Sequence, residues 1–370
     1  MIDEEKKYWL GFSAFPGIGP LRFKLLHQYF GDAQKAWEAS EKELVKIGLG
    51  EMLTGKFVAF RQDFSFEKYQ KRLLEKEIAV ITLLDKEYPD ILKEIPAAPF
   101  LLYTRGNLDT FKGSTFKRVA VVGTRRITNY GREITRKITE GLVDFGITVV
   151  SGMAYGVDTV AHETAVELGG KTIAVLGCGV DIIHPISNSK LYWQIIKKAG
   201  LVISEYPLGQ YATRGLFPAR NRIISGLSQG VVVTEGASDS GALITASYAA
   251  EQGREVFAVP GPITSEMSGA TNKLLKSGAK LVTEAKDILE ELKIKNIPIN
   301  KYPSTQMNEK MQKLSNEERK IIELLQKENL HFDEIARQTK METGKLGSLL
   351  TMMEMKKYIK NLGGGNYGIA

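Results

Sequence analysis

The residues best suited to chemistry follow a short apolar run in the stretch RVAVVGTRRITNYG, from Arg118 to Gly131. Gly123, Thr124 and Arg125 stand where a buried strand would turn into a helix. A glycine, a hydroxyl and a guanidinium group beside a helix N-terminus suit a phosphate. A plain solvated turn is the alternative. The residues after Gly123 fit neither G-x-G-x-x-G nor G-x-x-x-x-G-K-[ST], so we expect no ordinary NAD or P-loop site.

A second stretch, TRGLFPARNRIIS, combines basic side chains with an aromatic ring. Arg214 and Arg220 flank Phe217 there. In sites for single-stranded nucleic acid, cationic groups contact phosphates while a ring stacks on a base, so this basic loop predicts a nucleic-acid contact. The alternative is that Phe217 fills the core and that Arg220 pairs with Glu205 or Glu235.

Both stretches belong to a region in which apolar runs alternate with helical patterns. This alternation predicts a doubly wound, Rossmann-like α/β domain. Small residues and hydroxyls follow nearly every predicted strand, which indicates one continuous crevice at the carboxyl ends of the strands. The predicted strands are 118–122, 147–150, 172–176, 201–204, 230–233, 255–259 and 280–282, and the predicted helices lie near 130–145, 156–168, 188–198, 219–227, 241–252 and 284–292.

Residues 1–75 predict a small helical module of the helix-hairpin-helix or SAM-like type, because a P-G-I-G turn from Pro16 to Gly19 separates two short helices. Glycine amides in such a turn can contact a DNA phosphate, and an αα-hairpin that serves only for packing fits the pattern equally well. Two extended runs, 78–84 and 99–103, are predicted to extend the main sheet, so that residues 76–292 form the core.

The composition changes in the C-terminal part of the chain. Residues 293–313 contain prolines and show no sustained periodicity, which predicts a linker. Residues 314–370 predict three helices and a glycine-tipped hairpin, and hence a winged-helix-like domain. The third helix carries Lys345 but few other cations, which favours packing or a partner contact over sequence-specific reading of DNA.

The composition of the whole chain limits the class of protein to which it can belong. The 370 residues carry a net charge of +7, a mild excess that suits a polyanionic partner. The single cysteine, Cys178, excludes an intramolecular disulfide and a cysteine-cluster metal site. The residues after Met1 resemble no secretory signal, and no apolar run approaches the roughly 18 residues of a membrane helix. We therefore expect a cytoplasmic protein.

Several longer motifs resemble, in this order, those of the DNA-processing protein A family (DprA/Smf): VVGTR at 121–125, SGMAYGVDTVAH at 151–162, GGKTIAVLGCGVD at 169–181, FPARNRIISGLS at 217–228, SGALITASYA at 240–249, AVPGP at 258–262 and SGATNKLLKSGA at 268–279. The resemblance covers nearly the whole chain. It implies a protein of natural transformation that binds single-stranded DNA, protects incoming strands and loads a RecA-type recombinase onto them. It also implies a homodimer formed through the Rossmann-like core.

The resemblance implies roles for particular residues. The family's pocket arginine matches Arg125, its base-stacking aromatic residue matches Phe217, and a basic residue three positions earlier matches Arg214. Thr124 and Asn221 line the same pocket in this comparison.

One segment departs from the family pattern. Where members commonly have Tyr-Pro and then a polar or basic residue, this chain has HPISN from His184 to Asn188, with Ile186 in the third position. Lys190 would have to supply the missing basic contact. The predicted DNA-binding residues are Gly123, Thr124, Arg125, Lys190, Arg214, Phe217, Arg220 and Asn221, with no catalytic residue, cofactor or metal ligand.

The main alternative function is an enzyme on the same kind of core. A nucleotide phosphoribohydrolase of the lysine-decarboxylase-like group needs the run P-G-G-x-G-T-x-x-E. The stretch from Thr234 to Ser240 has acidic residues without that glycine spacing. Asp158 and His162, in a G-x-D-x-x-A-H pattern, are interpreted as structural hydrogen-bonding groups at a helix start. No enzyme activity is predicted.

Overall fold

The chain divides into two compact units, Met1–Asn300 and Lys301–Ala370. The structure, a computed structural model, describes residues 4–111, 117–198, 200–294, 314–325, 328–356 and 358–369. Among these residues, every helix is too short or too polar to cross a membrane.

A nine-stranded sheet forms the centre of the larger unit. Its strands are β1 (Ala79–Thr82), β2 (Leu101–Gly106), β3 (Arg118–Val122), β4 (Thr148–Ser151), β5 (Thr172–Val175), β6 (Leu201–Ser204), β7 (Gly230–Val233), β8 (Glu255–Ala258) and β9 (Lys280–Leu281). Their order is β1-β2-β6-β5-β4-β3-β7-β8-β9. β2 is antiparallel to both of its neighbours, and all the other pairs are parallel. The predicted doubly wound sheet, extended by two early strands, is therefore confirmed.

Helices cover both faces of this sheet. Those described in the larger unit are α1 (Glu4–Ala14), α2 (Pro20–Phe30), α3 (Ala33–Glu38), α4 (Glu41–Lys46), α5 (Glu51–Asp63), α6 (Phe66–Glu75), α7 (Asp90–Lys93), α8 (Asn129–Asp144), α9 (Val157–Glu167), α10 (Ser189–Lys197), α11 (Leu216–Gly226), α12 (Ala242–Glu251), α13 (Gly269–Lys276) and α14 (Ala285–Glu291). Val119 and Val121 of β3 pack with α8 and α9, whereas Ala120 and Val122 pack with α11 and α12. Burial on both faces explains why this strand is an unbroken apolar run.

Three helices differ from the prediction, and one of them is the short α7, which lies where only extended runs were predicted. α11 begins at Leu216 instead of near residue 219, because Pro218 lies in the first helical turn, where a proline needs no N–H partner. α13 lies where the sequence predicts no helix. Only Ala270 and Thr271 of this helix are buried, so its sequence lacks an apolar face long enough to recognise.

The N-terminal helices α1 to α6 pack around aromatic side chains and against the antiparallel edge of the sheet. The Tyr69 hydroxyl donates a hydrogen bond to the Tyr103 hydroxyl at 3.2 Å and accepts one from the backbone N–H of Leu208 at 3.1 Å. These bonds join the helical module to β2 and to the loop after β6. The residues at the centre of the aromatic cluster are Trp9, Phe12, Phe23, Trp37 and Phe57.

The described residues of the smaller unit form three helices and a three-stranded antiparallel sheet. Its elements are α15 (Asn316–Leu325), β10 (Leu330–His331), α16 (Phe332–Thr339), α17 (Thr343–Met355), β11 (Ile359–Gly363) and β12 (Asn366–Ile369). Ile321, Ile335 and Leu350 lie in its core. The predicted winged-helix architecture is confirmed. The predicted linker, residues 293–313, lies outside the described residues except for its first two.

Candidate nucleic-acid interface

A cavity of about 590 Å³, which we call the switch groove, lies at the carboxyl ends of β3 and β7. The strand order reverses between these neighbours, because the chain continues from β3 to β4 on one side and adds β7 on the other. Open α/β sheets bind ligands at this position. Seven of the eight predicted DNA-binding residues line the switch groove, namely Gly123, Thr124, Arg125, Arg214, Phe217, Arg220 and Asn221.

Arg125 and Phe217 lie against each other in the switch groove. The guanidinium carbon of Arg125 is 5.0 Å from the centroid of the Phe217 ring, within the range of a cation–π interaction. The ring of His184 is a second neighbour, with its centroid 5.6 Å from that of Phe217 and the two planes 31° apart. Phe217 is only half-buried, so it lines the groove and does not fill the core.

The first turn of α11 positions Phe217. Asn221 follows one helical turn later, so the two side chains share a face of the helix. A Cβ atom at Gly177 would lie 3.0 Å from Cδ1 of Phe217, which means that the glycine leaves room for the ring. The exposed Arg214 precedes the helix. The predicted basic loop is therefore largely the start of a helix, because Pro218 does not interrupt it.

Arg220 lies beneath the switch groove. Its side chain is 3% exposed, and Nη1 donates hydrogen bonds to the carbonyl oxygens of Gly152, at 2.5 Å, and Val175. It pairs with neither Glu205 nor Glu235, since Glu205 is bound by Arg222 instead. The predicted phosphate contact by Arg220 is therefore corrected. Because its guanidinium group is turned toward the ends of β4 and β5, Arg220 acts as a positioning residue.

The start of α8 is occupied by the chain's own carboxylate. Thr128 donates its backbone N–H to Oε2 of Glu235 at 2.9 Å and its hydroxyl to Oε1 at 2.5 Å. The Thr128 hydroxyl also accepts a hydrogen bond from the N–H of Gly131 at 3.0 Å. A carboxylate in this position satisfies the positive end of the helix dipole. The N–H and hydroxyl groups of Thr128 are therefore already bonded, and the cationic side chains of the turn remain for a ligand.

Thr124 and Gly123 shape the turn after β3. The Thr124 hydroxyl accepts a hydrogen bond from the N–H of Arg126 at 3.0 Å, and little of the side chain is exposed. A Cβ atom at Gly123 would lie 2.5 Å from Cγ2 of Val157 and 2.6 Å from the carbonyl oxygen of Glu235. The glycine thus permits close packing of the turn against α9 and the end of β7. It holds Arg125 in place rather than admitting a ligand.

Two acidic residues also line the switch groove and were missing from the predicted set. The loop between β7 and α12 brings the exposed Asp239 to the groove, and the turn before α13 brings Glu266 and Met267. His184 is the other residue that the prediction lacked. These residues lie far from the basic stretches in the sequence, so their place in the groove could not be predicted. The small residues after β7 were the only sequence signal near any of them.

Lys190 stands apart from the seven residues that line the switch groove. It is exposed near the start of α10. The amide of Asn188 fixes this start, since Nδ2 donates to the carbonyl oxygen of Met153 at 3.1 Å and to the Thr159 hydroxyl at 2.9 Å. Seven of the predicted DNA-binding residues therefore line one groove, and Lys190 lies apart from them.

Three titratable groups are buried in the core of the larger unit. Burial lowers the pKa of His162 to about 3, and its Nδ1 lies 2.7 Å from the Thr172 hydroxyl. Burial also raises the pKa of Asp158, whose Oδ2 accepts hydrogen bonds from two backbone N–H groups at 3.1 and 3.2 Å. Burial raises the pKa of Cys178 to about 11, so its sulfur stays a thiol. These environments suit structural groups, as the sequence pattern predicts for Asp158 and His162.

Comparison with known proteins places the chain in a family. Residues 79–293 match the DNA recombination-mediator protein A family, and residues 306–365 match the DprA winged helix domain. The chain is 41% identical to Protein Smf of Synechocystis over 295 residues, which cover 79% of this chain and 74% of that protein.

Two solved structures are similar to this one. One is DNA processing protein A from Streptococcus pneumoniae, with a TM-score of 0.68, 36% identity, and coverage of 77% of this chain and 97% of that one. The other is DNA processing protein A from Helicobacter pylori, described for its single-stranded DNA binding mode, with a TM-score of 0.52, 30% identity, and coverage of 58% and 95%. As its motifs predict, the chain belongs to the DNA recombination-mediator protein A family, which includes DprA and Smf.

Proposed function

We propose that this protein binds single-stranded DNA in the switch groove, largely independently of sequence. The observation that carries the proposal is the guanidinium group of Arg125, 5.0 Å from the accessible ring of Phe217, in a groove that Arg214 also lines. Cations that contact phosphates and a ring that stacks on a base are the two components of such sites. The relative from Helicobacter pylori, described for single-stranded DNA binding, supports the proposal.

The charges of the residues that line the switch groove determine which side of a strand each residue contacts. Arg125 and Arg214 attract phosphates, whereas Asp239 and Glu266 repel them. The sugar-phosphate backbone therefore contacts the two arginines, and the bases contact Phe217 and the carboxylates. Carboxylates there can accept hydrogen bonds from the exocyclic amines of bases.

Membership of a recombination-mediator family supports a wider proposal. The protein protects incoming strands during natural transformation and loads a RecA-type recombinase onto them. It acts in the cytoplasm as a homodimer through the Rossmann-like core. The same proposal includes the domain boundaries. They are a helical module at 1–75, a Rossmann-like core at 76–292, a linker at 293–313 and a winged-helix-like domain at 314–370.

We also propose that the switch groove is a binding surface without catalytic activity. Glu235, the acidic residue that directly follows the end of β7, is buried and bound to Thr128, so it is not available to a ligand. Asp158 is buried near Arg220. The two exposed acids of the groove, Asp239 and Glu266, belong to no P-G-G-x-G-T-x-x-E run of the kind that a nucleotide phosphoribohydrolase needs.

A competition experiment tests this function. A fluorescently labelled single strand, the corresponding duplex and an unlabelled mononucleotide are compared by fluorescence anisotropy. We expect the single strand to bind more tightly than the duplex, and an excess of mononucleotide to leave the bound fraction unchanged, because one phosphate and one base engage only part of the groove. Displacement of the strand by the mononucleotide would favour the enzyme, and equal binding of strand and duplex would contradict the proposed selectivity.

A further inference from the structure

One exposed tryptophan repeats the arrangement found in the switch groove. Most cation–ring pairs among the described residues involve a buried ring, as Arg61 does with Phe57. Two pairs involve a ring that solvent can reach: Arg125 with Phe217, and Arg105 with Trp193. The guanidinium carbon of Arg105 is 4.6 Å from the ring centroid, and Trp193 is 38% exposed. Indole surface is therefore accessible beside a fixed positive charge.

Lysines flank this tryptophan on the outer face of α10. Lys190, Trp193 and Lys197 are spaced three and four residues apart, so they lie along one side of the helix, about 10 Å from end to end. Both lysines are exposed, while Leu191 and Ile195 of the same helix are buried in the core. The outer face thus alternates cation, ring and cation.

Only the start of α10 lies beside the switch groove, and the helix runs from there toward Arg105, which pairs with Val202 near the amino end of β6. The ring of His184 lies against Phe217, and the chain runs from there to Asn188, which is bonded to the loop after β4. Lys190 comes two residues later. A strand that passes over His184 thus reaches Lys190 first and Trp193 one helical turn further on.

We propose that the outer face of α10 is a second contact for single-stranded DNA, in which Trp193 stacks on a base and Lys190 and Lys197 contact phosphates. The proposal rests on the proposed function and extends its path. Positive charges around the ring favour a polyanion over an apolar protein partner, whose docking site would surround the tryptophan with apolar side chains. Lys190, isolated from the switch groove, gains a role in this arrangement.

The three tryptophans of the chain allow a direct test, because Trp9 and Trp37 are 2% and 6% exposed and Trp193 alone is accessible. Intrinsic fluorescence is titrated with oligothymidylates of about 4 and about 16 nucleotides, while anisotropy of labelled strands reports binding itself. We expect the longer strand to quench tryptophan emission in parallel with binding. The shorter strand should quench less, since it is held in the switch groove.

Substitutions provide the second measurement. Trp193→Ala should weaken binding of the longer strand at least about fivefold, which corresponds to one stacked base, and should leave the shorter strand unaffected. Trp193→Phe should retain most of the affinity, because the ring is kept. Tyr29→Ala, which removes an exposed aromatic side chain from α2, is the matched control.

The outcomes separate this proposal from the function on which it rests. If the longer strand binds without quenching and Trp193→Ala binds it as tightly as the unmodified protein, the contact on α10 does not exist, while the switch groove still binds DNA. If anisotropy detects no binding of either strand to the unmodified protein, the proposed function fails and this extension fails with it.

Discussion

The cation–ring contact between Arg125 and Phe217 has consequences for how a base is bound. The guanidinium group lies over the ring at 5.0 Å, and His184 lies 5.6 Å away. A base that stacks on Phe217 therefore lies beside these two side chains. The positive charge of Arg125 is then next to the bound nucleotide, where it can also contact a phosphate. Phe217 contributes contact area, whereas Arg125 contributes charge.

At this scale, the substitution Phe217→Ala tests the role of the ring. We expect a loss of affinity for single-stranded DNA of roughly 5-fold to 150-fold, which corresponds to about 1 to 3 kcal/mol for one stacked base. Phe217→Tyr keeps the ring and should bind nearly as tightly. Binding is measured by anisotropy at fixed salt concentration. Equal affinities for the alanine variant and the unmodified protein would remove Phe217 from the site.

The junction between β3 and α8 is built to hold the turn rather than to bind an anion. Thr128 caps the helix, and Glu235 from the end of β7 fills the space at its N-terminus. A Cβ atom at Gly131 would overlap the Glu235 carboxylate. The third residue of the helix must therefore be glycine for the carboxylate to reach Thr128.

The substitution Gly131→Ala tests this packing. We expect it to lower the free energy of unfolding by about 1 to 3 kcal/mol, the usual effect of overpacking a filled site. Gly55→Ala is the matched control, because Gly55 is also inside a helix and an added Cβ there meets no neighbour within 4 Å. The control should be stabilised by about 0.5 to 1 kcal/mol. Urea denaturation of both variants provides the comparison, and a neutral Gly131→Ala would show that the carboxylate is not fixed.

The same junction shows which features of the structure could be predicted from the sequence and which could not. The apolar run before Gly123 was enough to predict β3 and the turn, because a strand buried on both faces has a distinctive local pattern. That Glu235 lies at the start of α8 could not be predicted, because the bond joins residues 107 positions apart. The inward turn of Arg220 and the contact of the His184 ring with Phe217 depend on tertiary packing in the same way. The grouping of Arg125 with Phe217 came from family resemblance, and the structure places both in one groove.

At the scale of the whole molecule, the stability of the fold depends on pH through the buried His162, which stays neutral in the folded chain. His162 has an ordinary pKa of 6.5, and burial lowers it to about 3 in the folded chain. The unfolded chain therefore takes up the proton first as pH falls. The stability that neutral His162 provides is complete above pH 6.5 and is lost progressively between pH 6.5 and pH 3. Asp158, whose pKa is raised by burial, acts in the opposite direction.

A pH series of urea denaturation tests the contribution of His162. Between pH 7 and pH 5, its protonation in the unfolded state should remove about 2 kcal/mol of stability. His162→Gln cannot be protonated, so its stability should depend less on pH over this interval by about that amount. His184→Gln replaces an exposed histidine and serves as the control. Identical pH profiles for His162→Gln and the unmodified protein would contradict the assignment.

The most direct test of the switch groove is the salt dependence of its affinity for one single-stranded oligonucleotide. The logarithm of the binding constant is plotted against the logarithm of salt concentration for the unmodified protein, Arg125→Ala and Phe217→Ala. Arg136→Ala, an exposed arginine on the outer face of α8 that is paired with Glu140 and Glu167, is the control.

We expect Arg125→Ala to reduce the slope by about 0.7, the value for one neutralised phosphate on a single strand. Phe217→Ala should lower the affinity at an unchanged slope, because stacking releases no counterion, and Arg136→Ala should change neither quantity. If Arg125→Ala has the slope and the affinity of the unmodified protein, the guanidinium group contacts no phosphate and the switch groove is not the DNA-binding site.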